Sequence, residues 1–358
     1  MSAPTGRVLL LAHSHTFGPF RVGSHHLAGA LGRRGFDVVH LSTPVSAAHR
    51  LTGRVDRATV RALPTGPVRV DGVLHLVPRT VLPRPFGPFR VRDELRRAGI
   101  DTAFDAVLLD QPLLWDDSVR SLAPRLVYRP TDLYPDGRKA ALQRDILAHA
   151  DAVVATSAEV HRRLGGTREL PSLVLPNGVD TERFTAPPAG TPRPDVCVYV
   201  GALDARFDWA RLGGWADAFP AVRFRIAGPD PVPPALLPGN IDLLGPVPYD
   251  ELPGLLQDAR VGLLPLSDDP LNAGRSPMKR YEYLAAGLAV VSRETPELRP
   301  DARAGLFTYR GDADADAALR SALAHTSPNA AGIGRARSES WDAKVDELLA
   351  FLGLPAAA

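Results

Sequence analysis

What most constrains this 358-residue chain is an alternation that runs almost end to end, in which short apolar runs of strand length are separated by stretches with helical spacing. The first half predicts strands at 7–12, 36–41, 68–77, 104–110, 125–128, 151–156 and 172–175, with helices at 23–34, 138–150 and 158–164. The second half predicts strands at 195–200, 222–227, 241–244, 260–265, 288–292 and 306–309, with helices between them, notably 250–258 and 277–286. Strands that alternate with helices demand parallel sheets and crossover connections, an α/β architecture. The pattern breaks at 185–194 (TAPPAGTPRP), where four prolines in ten residues push their neighbours out of the helical region and mark a linker. The expected organisation is therefore a Rossmann-like domain over 1–184, a hinge at 185–194 and a second Rossmann-like domain over 195–337. An amphipathic tail follows at 338–358, with Trp341, Val345, Leu348, Leu349 and Leu352 on one face.

Composition removes several classes of function. Lys and Arg number 42 against 40 Asp and Glu, and a net charge of +2 over this length is no footprint for nucleic acid. Cys197, the single cysteine, sits in the apolar run VCVYV and excludes a disulfide framework or a cysteine-based metal cluster. No apolar stretch reaches the ~18 residues of a membrane span, and the start of the chain reads as a first strand, so a cytoplasmic protein is expected. The first strand-turn-helix (LLLAHSHTFGPFRVGSHH) lacks the G-x-G-x-x-G turn of dinucleotide enzymes, and Asp37 begins the second strand instead of ending it. Only Lys139, Lys279 and Lys344 are lysines; the other 39 cationic side chains are arginines, a coding bias that draws attention to the lysines retained.

The segment Ser276-Pro277-Met278-Lys279-Arg280-Tyr281-Glu282 opens a helix with a capping residue and a proline. Lys279 and Glu282 lie three apart on one face, near the positive end of the helix dipole. This arrangement suits a phosphate beside the ammonium and a ribose beside the carboxylate. It equally suits a capped surface helix with one ion pair.

The run SPMKRYEYLAAGLAVV resembles the donor-site helix and following strand of GT-B glycosyltransferases of the glycosyl transferase group 1, GT4-like kind. Three further segments are similar in order and spacing: ADAVVATSAEVHRRL with LVLPNGVDTERF, VYVGALDARFD, and NIDLLGPVPYDELPGLLQDARVGLLPL. The resemblance runs from about 150 to 292, and before that it is one of architecture. It implies two Rossmann-like domains facing across a cleft, with a C-terminal helix crossing back to the N-terminal domain. It also implies a nucleoside-diphosphate-sugar co-substrate in the C-terminal domain, with no other cofactor, and an acceptor in the N-terminal one. Carried over by position, Lys279 meets the diphosphate and Glu282 the ribose, Val247 presents backbone to the base, and Gly201, Ser276 and Met278 complete the donor surface. Arg206 stands near the family's phosphate-binding lysine. Two departures are clear: Gly274 replaces the first acid of an E-x7-E pattern, and Ala202 replaces an arginine.

Weaker signals fill in the acceptor side. His13, His15, His25 and His26 gather at the first strand-helix turn, and His13 and His15 are read as acceptor contacts. Asp132, after the strand at 125–128, suits a carboxylate that orients a hydroxyl, and equally a loop turn. The spacing Asp312-Ala313-Asp314 is a metal-binding D-x-D in another glycosyltransferase fold. Here, after Gly311, it reads as acids favouring a helix start, and no metal is expected. Arg84 to Arg90, with Arg92, Arg96 and Arg97, interleaves aromatics with cations. A solvated arginine-rich helix start is the plainer reading, and peripheral contact with an anionic lipid surface the alternative.

The expected function is sugar transfer from a nucleoside-diphosphate-sugar to a hydroxyl-bearing acceptor, with retention and without metal. Lys279, Arg206 and Asp132 are the expected catalytic residues. The alternatives are a silent nucleotide-sugar-binding or partner-activating subunit, and a nucleotide-sugar epimerase.

Overall fold

The computed structural model describes residues 4–18, 20–48, 61, 63–84, 86–165, 170–229, 231–234 and 236–355. The chain divides into two compact units, Met1–Pro176 with Lys344–Ala358, and Asn177–Ala343.

The first unit is built on an eight-stranded sheet. Its strands are β1 (Gly6–Ala12), β2 (Phe36–Ser42), β4 (Val68–Val70), β5 (Val73–Leu76), β7 (Ala106–Leu109), β8 (Arg125–Tyr128), β9 (Ala152–Ala155) and β10 (Ser172–Val174), in the order β10-β9-β8-β7-β1-β2-β5-β4. A separate two-stranded ribbon joins β3 (Val45–Ser46) to β6 (Arg79–Thr80). Every pairing in the large sheet is parallel except β4 with β5. That exception corrects the single strand expected at 68–77. Asp71 (φ 49°) and Gly72 (φ 80°) both enter the left-handed region, and Val70 pairs with Val73 around them. Asp-Gly between apolar runs is the residue pair that such a two-residue turn requires.

The second unit holds six parallel strands, β11 (Val196–Val200), β12 (Arg223–Ala227), β13 (Ile241–Gly245), β14 (Val261–Leu264), β15 (Ala289–Arg293) and β16 (Leu306–Tyr309), in the order β13-β12-β11-β14-β15-β16. Both faces are covered. Val196, Val198 and Val200 enter one apolar cluster with Tyr281 and Leu284, while Cys197 and Tyr199 enter another with Trp215 and Phe224. This explains why β11 reads as an unbroken apolar run, and burial raises the Cys197 thiol pKa. Two helices that the sequence reading left without bounds, Trp209–Ala218 and Ala330–Arg337, lie in this unit.

The proline-rich stretch 185–194 belongs to the second unit. Arg193, 3% exposed, donates to the carbonyls of Leu256, Ala259 and Ala286, so the segment is fastened at its end. The chain passes between units at 176/177 and again at 343/344. In the second unit Val179 and Trp341 exchange backbone hydrogen bonds with the opposite passage, Val179 N to Glu339 O at 2.9 Å and Trp341 N to Val179 O at 3.1 Å. Gly178 is required there, because a Cβ would stand 2.9 Å from the Glu339 carbonyl oxygen. The tail forms a helix over Trp341–Leu352, and from Lys344 onward it belongs to the first unit. Val345, Leu348, Leu349 and Leu352 are buried, and Arg34 grips both carboxylate oxygens of Asp346 at 2.7 Å. Among the described residues no helix is long and apolar enough to cross a membrane.

Candidate active site

In each unit the strand order reverses direction once in the sheet, between β1 and β7 in the first and between β11 and β14 in the second. Loops leaving the carboxyl ends of such neighbours diverge and open a crevice for ligand. His13 and His15 follow β1, Asp132 follows β8, Gly201 and Arg206 follow β11, and Ser276, Met278, Lys279 and Glu282 lie between β14 and β15, whereas Val247 follows the edge strand β13.

At the second unit's reversal, the loop leaving β11 is tied to the loop leaving β14. Ser267 N donates to Arg206 O at 2.9 Å, and the Asn272 amide donates to the same oxygen at 3.2 Å. Gly201 and Gly228 close the strand ends on each other, and a Cβ at Gly228 would strike the Gly201 carbonyl. Over this edge lies the Met278–Ala285 helix, with Pro277 at its N-cap. The wholly buried Tyr283 crosses Gly262 of β14, and its hydroxyl accepts from Val200 N at 2.9 Å, which fixes the helix against the end of β11. Lys279 Nζ donates to Glu282 Oε2 at 2.6 Å, with side-chain exposures of 20% and 3%. The ammonium thus stands at the rim of the first helical turn and the carboxylate beneath it.

The other expected donor residues differ in what holds them. The Ser276 hydroxyl accepts from Asn177 N at 3.0 Å, and its carbonyl accepts from the Asn177 amide at 2.7 Å, so Asn177 orients the entry to the helix. Sequence reasoning saw Asn177 only as part of the LPNGVD run. Arg206 is clamped by Asp204, Nη2 to Oδ2 at 2.8 Å, and Asp204 also caps Arg206 N at 3.0 Å. These bonds, with the Arg275 cation nearby, outweigh desolvation and hold the Asp204 pKa below the ordinary carboxylate value. Asp204 and Arg275 were not singled out from sequence; only the unusual charge density of ALDARFD hinted at the first. Met278 opens the helix, and Val247 lies half-buried beyond Gly245, whose φ of 70° ends β13. Gly274, where the family resemblance leads one to expect an acid, is the last residue of a 3-10 turn over Pro270–Gly274 in which it and Asn272 are buried.

At the first unit's reversal, His13 follows β1 and Gln111 follows β7, and the Gln111 amide donates to His13 Nδ1 at 2.8 Å. Crowding by neighbouring atoms, with the Lys139 ammonium close by, holds the His13 imidazole below its ordinary pKa against the opposing pull of Asp132. Asp132 is exposed, and Lys139 lies over the Tyr134 ring at 4.9 Å. His13, Asp132 and Lys139 therefore share one neighbourhood. His15 stands apart, tilted against Phe17, with Nδ1 buried and unpaired among the described residues. Behind this surface Arg129 Nη1 donates to Asp110 Oδ2 at 2.5 Å, with exposures of 1% and 4%. Burial lifts Asp110 to about 6 in spite of its partner, and among the described residues its Oδ1 and the Arg129 Nε have no hydrogen-bond partner.

His25 is not a surface contact. Its Nδ1 accepts from Val22 N at 3.2 Å and its Nε2–H donates to Ser14 O at 3.0 Å, so the neutral ring pins the β1 loop to the Gly23–Arg33 helix. It packs tilted against His40, and His40 likewise against His75, at ring separations of 5.1 Å. Among the described residues, no group of three or more His, Cys, Asp or Glu is placed to hold a metal ion. The 312–316 acids serve the Asp312–Leu323 helix: Asp314 accepts from Gly311 N at 3.0 Å, and Asp312 pairs with Arg211.

Residues 20–183 match the family model for Glycosyltransferase Family 4, and residues 194–325 match that for Glycosyl transferases group 1. TuaH of Bacillus subtilis, a glycosyltransferase assigned to teichuronic acid biosynthesis, is 25% identical over 232 residues, 58% of each chain. The match thus spans little over half of that relative's length. Sucrose-phosphate synthase from Thermosynechococcus elongatus superposes with a TM-score of 0.68 at 14% identity, covering 97% of this chain and 98% of the other. An alpha-glucosyltransferase solved in complex with UDP superposes with a TM-score of 0.56 at 11% identity, covering 95% of each. The two successive domain matches and this shared fold establish that the chain belongs to the GT-B glycosyltransferases of the family 4 and group 1 kind.

Proposed function

We propose that the protein transfers a sugar from a nucleoside-diphosphate-sugar to an acceptor hydroxyl, with retention and without a divalent ion. The second unit takes the donor and the first unit the acceptor. The observation that carries this reading is the Lys279–Glu282 pair, the lysine on the first turn and the glutamate one turn on, of a helix anchored at the β11/β14 reversal. A diphosphate needs its charge neutralised, and a helix N-terminus with one ammonium does this without a metal. When donor enters, the Lys279 ammonium turns from Glu282 to the phosphates, and the released carboxylate accepts from the ribose hydroxyls. Charge builds on the leaving diphosphate during transfer, so Lys279 stabilises the transition state more than the ground state. Arg206, held by Asp204, is a second cation that a phosphate recruits by displacing that carboxylate. In the first unit, neutral His13 and Asp132 orient the acceptor. The match to TuaH favours an envelope polymer among acceptor classes.

Turnover of candidate nucleotide sugars, measured in EDTA with and without an acceptor panel, tests the reading. Acceptor-dependent release of diphosphate is expected, and Lys279→Ala should lower its rate by roughly a hundredfold, about 3 kcal/mol. Sugar isomerisation without diphosphate release would identify an epimerase instead. A silent subunit is the second reading, favoured by Gly274, which offers no carboxylate to the sugar. It would be upheld by nucleotide binding with no turnover on any acceptor.

A further inference from the structure

The Met278–Ala285 helix also borders a cavity that neither Lys279 nor Glu282 lines. Arg280 and Leu284 on that helix, Glu297, Arg299 and Asp301 on the loop after β15, and Arg335 on the Ala330–Arg337 helix surround a space of about 230 Å³ within the second unit.

Its three guanidiniums are held in different ways. Arg280 is half-buried, over the buried Tyr281 ring at 4.2 Å. Among the described residues it bonds to neutral groups alone, Nη1 donating to the Glu297 carbonyl at 2.7 Å and Nη2 to the Tyr281 hydroxyl. Its Nε is buried and has no hydrogen-bond partner among the described residues. Arg335 pairs with Glu339 at 2.9 Å, and Arg299 reaches Glu294 only at 3.8 Å, with arginine side chains 55% and 69% exposed. Exposed pairs of this kind are worth little and exchange readily, whereas a half-buried cation without a carboxylate has given up water for no charge in return. Three guanidiniums around one small space repel one another until an anion enters.

The backbone that carries them is fixed in advance. Leu298, beside Arg299, is wholly buried, and its N donates to Thr295 Oγ1 at 3.1 Å. Asp301 and Leu306 exchange backbone hydrogen bonds at 3.0 and 2.9 Å. Asn329 caps the helix of Arg335 through Gly332 N at 3.0 Å, and its amide donates to Ala304 O at 2.7 Å. Little ordering is left for a ligand to impose.

Size and charge set the class of ligand. Sites for drug-sized molecules run to about 300–1,000 Å³, and this cavity is smaller, which suits a small ester and not a nucleotide sugar. The planar fork of arginine matches phosphate oxygens in pairs. Glu297 and Asp301 oppose a bare phosphate but can accept from the hydroxyls of an organic one.

We infer that this cavity binds a small phosphate monoester carrying hydroxyl groups, with Arg280, Arg299 and Arg335 at the phosphoryl oxygens and Glu297 and Asp301 at the hydroxyls. The inference is independent of the donor assignment above.

Isothermal titration of the full chain with glycerol 3-phosphate, at constant ionic strength, tests it. Saturable binding is expected, with weaker binding of inorganic phosphate and none of glycerol. Arg299→Gln with Arg335→Gln should weaken glycerol 3-phosphate roughly tenfold or more, and Arg280→Gln by a similar factor. The double variant changes exposed side chains, and an unaltered melting temperature confirms that it folds. Lys279→Ala should bind glycerol 3-phosphate as the wild type does, because Lys279 lies off the cavity. No saturable binding by the wild type, equal binding by the double variant, or equal binding of glycerol overturns the inference. Binding lost in Lys279→Ala and kept in the arginine variants overturns it in favour of the donor surface.

Discussion

At the β11/β14 edge two cations are paired with acids close by in the chain: Arg206 with Asp204, and Lys279 with Glu282. These pairs are near enough to solvent for a stronger anion to exchange into them. At the β1/β7 edge the charged pair, Arg129–Asp110, is sealed inside, and the groups facing outward are an imidazole accepting from Gln111 and an exposed carboxylate. The difference suits the two substrates proposed above. On that reading a diphosphate carries the charge that must be matched, and exchangeable cations would match it. A hydroxyl carries none, and on the same reading its site needs hydrogen-bond acceptors, here the His13 imidazole and the Asp132 carboxylate, on a stiff base.

The comparison breaks most visibly at the sealed pair. Arg129→Ala leaves the Asp110 carboxylate buried without a partner and should destabilise the first unit by about 3–5 kcal/mol, read in chemical denaturation. Nucleotide binding by the second unit should persist at denaturant concentrations where the first unit has melted. Replacing both residues with apolar ones, Arg129→Met and Asp110→Leu, should recover most of the stability. If it does not, the pair is more than a rigid base. At the exchangeable pair the expected effect is smaller and falls on affinity. Glu282→Gln should weaken nucleotide binding by about 1.5 kcal/mol, roughly tenfold, with little change in kcat, since ribose hydroxyls alter little during transfer. A fall confined to kcat would instead place Glu282 at the reacting centre.

Acid should distinguish the units more gently. Desolvation, with Arg21 nearby, holds His25 and His75 at about 4, and it drives the fully buried His40 well down. The unfolded chain takes up these protons near 6.5, so it binds more protons than the folded chain between about 6.5 and 4. Stability from the neutral rings is therefore complete above 6.5 and is lost as pH falls toward 4. Asp110, raised to about 6, acts in the opposite sense over part of that range, since its folded form keeps a proton the unfolded form releases. Three imidazoles outweigh one carboxyl, so the first unit's denaturation midpoint should drop on acidification. His25→Gln with His75→Gln should flatten that dependence, and an unflattened profile would show that other groups govern it.

Much of the fold was legible because it rests on local pattern. The strands at 125–128 and 306–309 fall where expected, since largely buried parallel strands are short, mainly apolar runs between turn residues. The hairpin at 68–76 was missed although Asp71-Gly72 signals it, because apolar residues on both sides merged into one run. Lys279 and Glu282 were legible as a helix-face pair, and the structure adds that they bond to each other. Asn177 and the packing of His25 and His75 against His40 were not legible as site elements, because each depends on a partner brought close by loop closure or strand register, 99 residues away for Asn177 and Ser276, and no spacing rule reaches that far. Asp204 was missed for a different reason: its partner Arg206 is two residues away, but an acid two before an arginine in a loop does not by itself fix a turn. The proline count at 185–194 pointed to a hinge there, whereas the chain passes between units at 176/177, and the buried Arg193 that fastens the stretch within the second unit could not be told from any other arginine.

The central claim is that the second unit binds a nucleoside diphosphate through Lys279 at a helix start, without a metal. Isothermal titration of the full chain with UDP, GDP, ADP and dTDP, in EDTA and then in Mg²⁺, measures this most directly. The account predicts that one of the four binds in EDTA and changes little with Mg²⁺. It also predicts at least a tenfold loss in Lys279→Ala, about 1.4 kcal/mol or more. Binding that requires the divalent ion, or that Lys279→Ala leaves intact, would contradict it.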